Sequence, residues 1–502
     1  MRREIINSLV NYASSIYIMT LTFFCNLIYF RYFGSELYAL VGLVILITTI
    51  ANLLDFGFSV TLLREVAAGH GIYSTKLHNI INSIEFIFIC ICFLMLPCIF
   101  IYLINLPEGW EFLNIQGGVN FFWLASVISL YICTRFIANI YRCGIIGSSR
   151  LIQYNIIIIV FNSLRYLLTI IYLVYISNEI LAFFIINLVI STMELIVLRM
   201  YFLSKIFSFR RSSFKNIDWD YLRDVLSYAL GIGVASIFIT LFSSADKILL
   251  SNSLDAKHFG YYSLLLLISS SMINIATPIL TSFMPKLVSL VAEKKIDVMY
   301  STYRFMTKII TLVLAMTAVY LATFSREILY LISGNNLAVD WGRNIFIFHL
   351  FGSVFFIINS FQYYLQNALG HYKIHLFGSV ISLVIFAPFL YYLFSMEGAL
   401  GAAKAWLFFN LSWFLTWNVF FYLRIDFRYF IRWIFIDITP ILIYSFISFF
   451  FLRAVFLFNF SNIFYTLIFG ALIFASMLFL GLLSIDVIRK KIPAIFIHWN
   501  RR

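Results

Sequence analysis

A few ionisable side chains interrupt an otherwise apolar sequence: Asp55, Arg135, Arg165, Glu194, Asp246, Lys247 and Lys404. A guanidinium presents a planar fork of N–H donors that matches a phosphate or a carboxylate, whereas an ammonium acts as a point charge. A carboxylate in such surroundings binds a cation, takes up a proton or neutralises a neighbouring cation. An ion within a bilayer costs a few kcal/mol on insertion scales, so these groups are expected to face a bundle interior or a wet cavity.

Helical spacing puts several of them on polar stripes. Thr48, Asn52, Asp55 and Ser59 share one face, as do Arg135, Asn139 and Arg142. Asn155, Asn162 and Arg165 form a third stripe, Asn187, Ser191 and Glu194 a fourth, and Ser236, Thr240, Ser243 and Lys247 a fifth. Stripes of Asn and Ser also arise from interhelix hydrogen bonding. Arg165 lies near the middle of its apolar run, too deep to snorkel. It either offers its fork to an anionic ligand or forms a buried pair with Glu194 or Asp55. Arg135, Lys247 and Lys404 lie nearer span ends, where cargo contact competes with interface anchoring and, for Lys247, with pairing to Asp246. Asp55 beside Gly57 is read as an ion-coupling group or as the partner of Arg64 at a gate, with Glu194 and Asp246 as further acidic candidates. Glu85 is read as a structural partner of a loop cation.

The elements that carry these residues are long apolar helices. Of the 502 residues, 63% are hydrophobic and 11% charged, and mean hydropathy is +0.97. Soluble chains carry about 25% charged residues. Windows of about 20 apolar residues predict spans near 8–30, 38–62, 79–104, 119–142, 151–175, 180–203 and 224–250. A second set follows near 259–285, 305–331, 344–368, 373–395, 398–423, 432–453 and 461–485. The expected fold is therefore all-α and polytopic, with about fourteen transmembrane helices.

Thirty-five Lys and Arg against 22 Asp and Glu leave a net charge of +13. Alternate loops hold almost all of that excess, with Arg142, Arg304 and Lys308 counted among their cations, which predicts cytoplasmic termini and makes nucleic acid an unneeded explanation. Met1-Arg2-Arg3 leads into a segment long enough to remain as the first span. Cys25, Cys90, Cys92, Cys98, Cys133 and Cys143 read as apolar packing residues, with neither disulfide nor zinc spacing. Ser-His-Asp, metal-ligand and Walker-type patterns are absent from the sequence, so neither a cofactor nor direct use of ATP is expected. His349, deep in a span, reads as a packing residue.

The halves repeat at an offset of about 222 residues. Phe33 to Leu40 introduces the second span as Leu254 to Tyr262 introduces the eighth; Gly147-Ser148-Ser149-Arg150 matches Gly370-His371-Tyr372-Lys373. Six spans per half make the repeat parallel. The resulting organisation is an N-lobe over 1–203, a basic linker over 204–223, a C-lobe over 224–424, two more spans over 425–485 and a basic tail over 486–502.

Several segments then resemble one family. Asp55-Phe56-Gly57-Phe58-Ser59 through Leu63-Arg64-Glu65, Ala245 to Leu250, Phe259-Gly260-Tyr261-Tyr262, Gln366 to Gly370 with Lys373, and Gly398 to Ala403 are similar to Wzx-type polysaccharide repeat-unit flippases. These belong to the superfamily that also holds the lipid II flippase and multidrug extruders. The resemblance implies two six-helix lobes around a central cavity and alternating access across a bacterial cytoplasmic membrane, with H⁺ or Na⁺ as coupling ion. It implies an undecaprenyl-pyrophosphate-linked oligosaccharide as cargo. Membrane lipids, a polymerase and a chain-length regulator of the same pathway are the implied partners of a monomer. The rival readings are a cation-coupled drug or metabolite exporter of the same superfamily and a membrane enzyme acting on lipid-linked sugars. An exporter of cations calls for acids rather than bases in the spans, and such an enzyme for a large outer loop.

Overall fold

The computed structural model describes residues 2–67, 75–106, 110, 121–148, 150–206, 219–370, 372–424, 426–456 and 463–484. All regular structure among them is helical. The chain runs through α1 (Arg2–Ala51), α2 (Phe58–Ala67), α3 (Thr75–Ile104), α4 (Phe121–Gly147), α5 (Leu151–Tyr175) and α6 (Ile180–Ile206). It continues with α7 (Trp219–Ser253), α8 (Ala256–Ala292), α9 (Ile296–Thr323), the short α10 (Ser325–Ser333) and α11 (Asn336–Ala368). Last come α12 (Tyr372–Glu397), α13 (Ala399–Leu423), α14 (Phe427–Arg432), α15 (Thr439–Val455) and α16 (Ile463–Leu483).

A bilayer supplies no hydrogen-bond partners, so helices that satisfy their own backbone are the expected solution. Eleven helical segments among the described residues are long and apolar enough to cross a membrane. The protein is thus a multi-pass membrane protein. The first of these segments, Val10–Asp55, has 46 residues, about 69 Å of helix and more than twice the hydrocarbon thickness. Its backbone leaves helical geometry at Gly34 (φ 69°, ψ 179°), which divides it where the sequence separates the first two spans. Of the predicted basic segments, most of the linker (207–218) and the tail from 485 lie outside the described residues.

Within the described residues the predicted intervals fall on helices, with breaks in 38–62 and 305–331 and a π-helical turn in 432–453. The interval 38–62 passes through a 3₁₀ turn, Asn52–Asp55, and then Phe56 (φ 46°) and Gly57 (φ 85°) before α2 starts. The Asp55 carboxylate accepts the Ser59 N–H at 2.9 Å, so it satisfies a first-turn amide of the new helix. The interval 305–331 divides at Phe324 into α9 and α10; Ser325 is fully buried there and its hydroxyl accepts Arg343 Nε–H at 3.2 Å. The repeat signatures sit at equivalent junctions. Gly147 ends α4 and Gly370 (φ 78°) follows α11, while Gly34 and the α7–α8 turn mark the other pair.

Two compact units are present: residues 1–264 with 379–387, and residues 265–378 with 388–502. Within the first, α4 packs against α2, α3 and α6, and α1 packs against α5. Within the second, α11 packs on α13, and α9 packs on α11, α15 and α16. Large apolar side chains such as Phe93 (82% exposed), Tyr175 (81%) and Tyr465 (68%) stay outside the helix contacts. In a spanning protein such surface is solvated by lipid.

Arg304 and Lys308, counted from sequence among the loop cations, lie inside α9. Both pair with the fully buried Asp437: Arg304 Nη2–H donates to it at 2.8 Å and Lys308 Nζ lies 2.7 Å away. Asp437 sits in a π-helical turn, Trp433–Ile438, between α14 and α15. This ion cluster ties the C-terminal helices to α9.

The Phe259-Gly260-Tyr261-Tyr262 segment has a packing cause. A Cβ at Gly260 would lie 1.8 Å from the Ser35 carbonyl oxygen, so only glycine admits this approach of α8 to α1. Gly260→Ala is expected to cost about 3 kcal/mol, read as a lowered Tm and a loss of monodisperse protein in detergent. A wild-type Tm would mean that the two backbones do not approach this closely.

Candidate functional site

The sequence stripes on α4, α5 and α6 meet inside the first unit. Arg135 and Arg142 lie two turns apart on one face of α4, Arg165 comes from α5 and Glu194 from α6. Their shared face follows from helical periodicity, and the close α4–α6 and α5–α6 packing brings them to one point. Glu194 is fully buried and Arg165 is 5% exposed. One carboxylate receives three guanidiniums. Arg165 Nη2–H donates to Glu194 Oε2 at 2.8 Å, Arg135 Nη1–H donates to the same oxygen at 3.0 Å, and Arg142 Nη2–H donates to Oε1. Arg165 Nη1–H also reaches Asn162 Oδ1 at 3.4 Å.

The stoichiometry matters more than any one bond. Three full positive charges face one negative charge, because a guanidinium keeps its proton in proteins. The cluster therefore carries a surplus of two positive charges. Donors are also left over: the Nε of Arg142 and the Nε of Arg165 are buried with no hydrogen-bond partner, as is Asn155 Nδ2. Buried donors are nearly always satisfied in native proteins, so this pocket of chain is short of acceptors and of negative charge. An anion rich in oxygen would supply both.

Residues 6–291 match the polysaccharide biosynthesis protein family. The chain belongs to this family. Its fold is shared with transporters of known structure. "Lipid II flippase MurJ, inward closed conformation" aligns with a TM-score of 0.71 and 14% identity, covering 96% of this chain and 100% of that one. An inward-facing multidrug resistance MATE family transporter of the MOP superfamily gives 0.61 and 12%, covering 84% and 98%. An outward-facing structure of such a transporter gives 0.56 and 14%, covering 84% and 95%. Comparison with curated protein sequences gives no match. Identities this low carry the architecture alone.

The other sequence candidates of this family member are spread over the molecule. Asp55 caps α2, and Asn139 Nδ2 of the Arg135 stripe donates to the neighbouring Ser59 hydroxyl at 3.4 Å. Arg64 lies in α2, and its side chain is outside the described residues. Asp246 is buried in α7 and accepts the Tyr262 hydroxyl at 2.6 Å. Lys247 is half-buried, with no ion pair among the described residues. Lys404 is in the second unit, where its Nζ lies 2.5 Å from Glu397 and 5.7 Å from the centre of the Phe348 ring. Glu85 accepts the Tyr141 hydroxyl at 2.8 Å and lies 3.5 Å from Arg199 of α6, a helix residue rather than a loop cation.

Arg142 was not among the sequence candidates, because its place near a span end put it with the loop cations. The spacing of seven from Arg135 was the available signal. Removal of one partner from a buried ion cluster costs about 3–5 kcal/mol. Glu194→Ala is accordingly expected to lower the Tm more than Lys404→Ala, whose partner pair is partly exposed. Equal effects would show that the α4–α6 cluster is solvated.

Proposed function

We propose that this chain is a flippase that moves a lipid-pyrophosphate-linked oligosaccharide from the cytoplasmic to the outer leaflet, for assembly of a surface polysaccharide. The observation that carries the proposal is the unbalanced arginine cluster on α4 and α5. A pyrophosphate crossing a membrane must shed water, and fixed guanidinium forks replace that hydration at low dielectric. Membership of a polysaccharide biosynthesis family and a fold shared with a lipid II flippase support the same reading. A cation exporter would require the opposite balance of charge at its buried site.

In this reading Arg135, Arg142 and Arg165 take the phosphates, and Lys247 adds positive charge within the same unit. Lys404 adds no surplus, because Glu397 balances it. Asp55, Arg64 and Asp246 are assigned to gating or to coupling with H⁺ or Na⁺. The repeated halves, 1–203 and 224–424, rock in alternating access, with both termini on the cytoplasmic side of a bacterial cell membrane. The cargo is undecaprenyl-linked, and a polymerase and chain-length regulator receive it.

Deletion of the gene is expected to strand lipid-linked repeat units on the inner leaflet while their synthesis continues. Undiminished surface polysaccharide in the deletion strain would remove the proposal. In complementation, Arg165→Ala is expected to abolish surface polysaccharide, and Arg165→Lys to retain part of it because charge persists without the fork. Full activity of the alanine variant would take Arg165 out of the cargo path.

A further inference from the structure

Glu194 meets the arginines in the manner a phosphate would. Its two oxygens accept from three forks, with Arg135 and Arg165 converging on Oε2 and Arg142 on Oε1. Carboxylate and phosphate compete for the same guanidinium geometry. An anion cannot take these N–H groups while Glu194 holds them. Yet Glu194 satisfies the cluster only in part, since the Nε of Arg142 and of Arg165 remain buried without acceptors. A pyrophosphate offers more oxygens and more charge than one carboxylate, so it can satisfy donors that Glu194 leaves open.

We infer that Glu194 is an internal counter-ion, a tethered stand-in that the arriving phosphate group displaces from Arg135, Arg142 and Arg165. The inference rests on the proposed reading of the cluster as an anion site. The empty site then carries a surplus of two charges rather than three, which weakens capture of stray phosphate. Displacement sets a threshold: an anion enters only if its contacts outweigh three charge-assisted bonds. The same carboxylate favours release, because its return to the forks competes with the departing phosphate. Glu194 is thus a positioning and selectivity residue that never needs to touch the cargo.

Neighbouring groups fit this role. Ser191, one turn before Glu194 on α6, hydrogen-bonds the Thr134 hydroxyl of α4 at 2.9 Å, so the α4–α6 contact does not depend on the ion cluster alone.

The test uses the purified full-length chain in detergent, with inorganic pyrophosphate as the probe and calorimetric titration as the readout. Glu194→Gln keeps the shape and removes the charge, and is expected to bind pyrophosphate at least tenfold more tightly than wild type. Arg165→Gln is expected to bind it at least tenfold more weakly. Glu194→Asp, whose shorter arm reaches the forks less well, is expected to fall between wild type and Glu194→Gln, and carries the test if the glutamine variant fails to fold. A merely structural glutamate would give weaker or unchanged binding on substitution, and that result overturns the inference. If Arg165→Gln weakens binding but neither glutamate variant tightens it, the counter-ion fails and the anion site stands. If Arg165→Gln binds as wild type does, the anion site itself fails.

Discussion

Positive charge held inside an apolar helix bundle must be balanced, and this constraint organises the first unit. Two unit charges about 4 Å apart interact by roughly 4 kcal/mol at an effective dielectric near 20, so three guanidiniums cannot share one site without a counter-charge. Glu194 supplies a single one from α6, and α4 and α5 bring their arginines to it. The helices are held together by the attraction they also leave incomplete. The same four side chains join α4, α5 and α6 and leave two buried guanidinium N–H groups without acceptors.

Other buried ions in the chain are arranged differently. Asp437 is closed over by Arg304 and Lys308, and both of its oxygens are occupied. Glu85 combines one cation with a tyrosine hydroxyl. Lys404 and Glu397 balance one to one. These clusters fasten neighbouring helices and leave smaller surpluses or none. A fold shared with both a lipid II flippase and multidrug transporters does not choose a cargo.

Much of this was open to inspection in the primary structure. Hydropathy located the helices because apolar runs of about 20 residues have no other solvent. The break at Gly34 falls between two predicted spans and the paired repeat signatures lie at helix junctions, whereas the break at Phe56-Gly57 falls inside the predicted span 38–62. The stripe of Arg135, Asn139 and Arg142 and that of Asn155, Asn162 and Arg165 were visible as single faces. What a stripe could not reveal was its partner. Arg165 with Glu194 and Arg165 with Asp55 were equally good pairs by spacing, and Arg142 carried the mark of a topology signal as well as its place on the Arg135 stripe. Asp437 escaped notice because an acid in an apolar run has no local mark of the cation that will meet it from 133 residues away.

The sequence by itself determined that this protein is a bundle of membrane-spanning helices and which helix faces are polar. Those properties depend on solvent and on period, both of which act locally along the chain. Only the tertiary structure decided that three arginines share one glutamate, that Asp55 caps a helix and that Lys404 is already balanced. Charge neutrality is a sum over neighbours in space, and neighbours on different helices are chosen by packing.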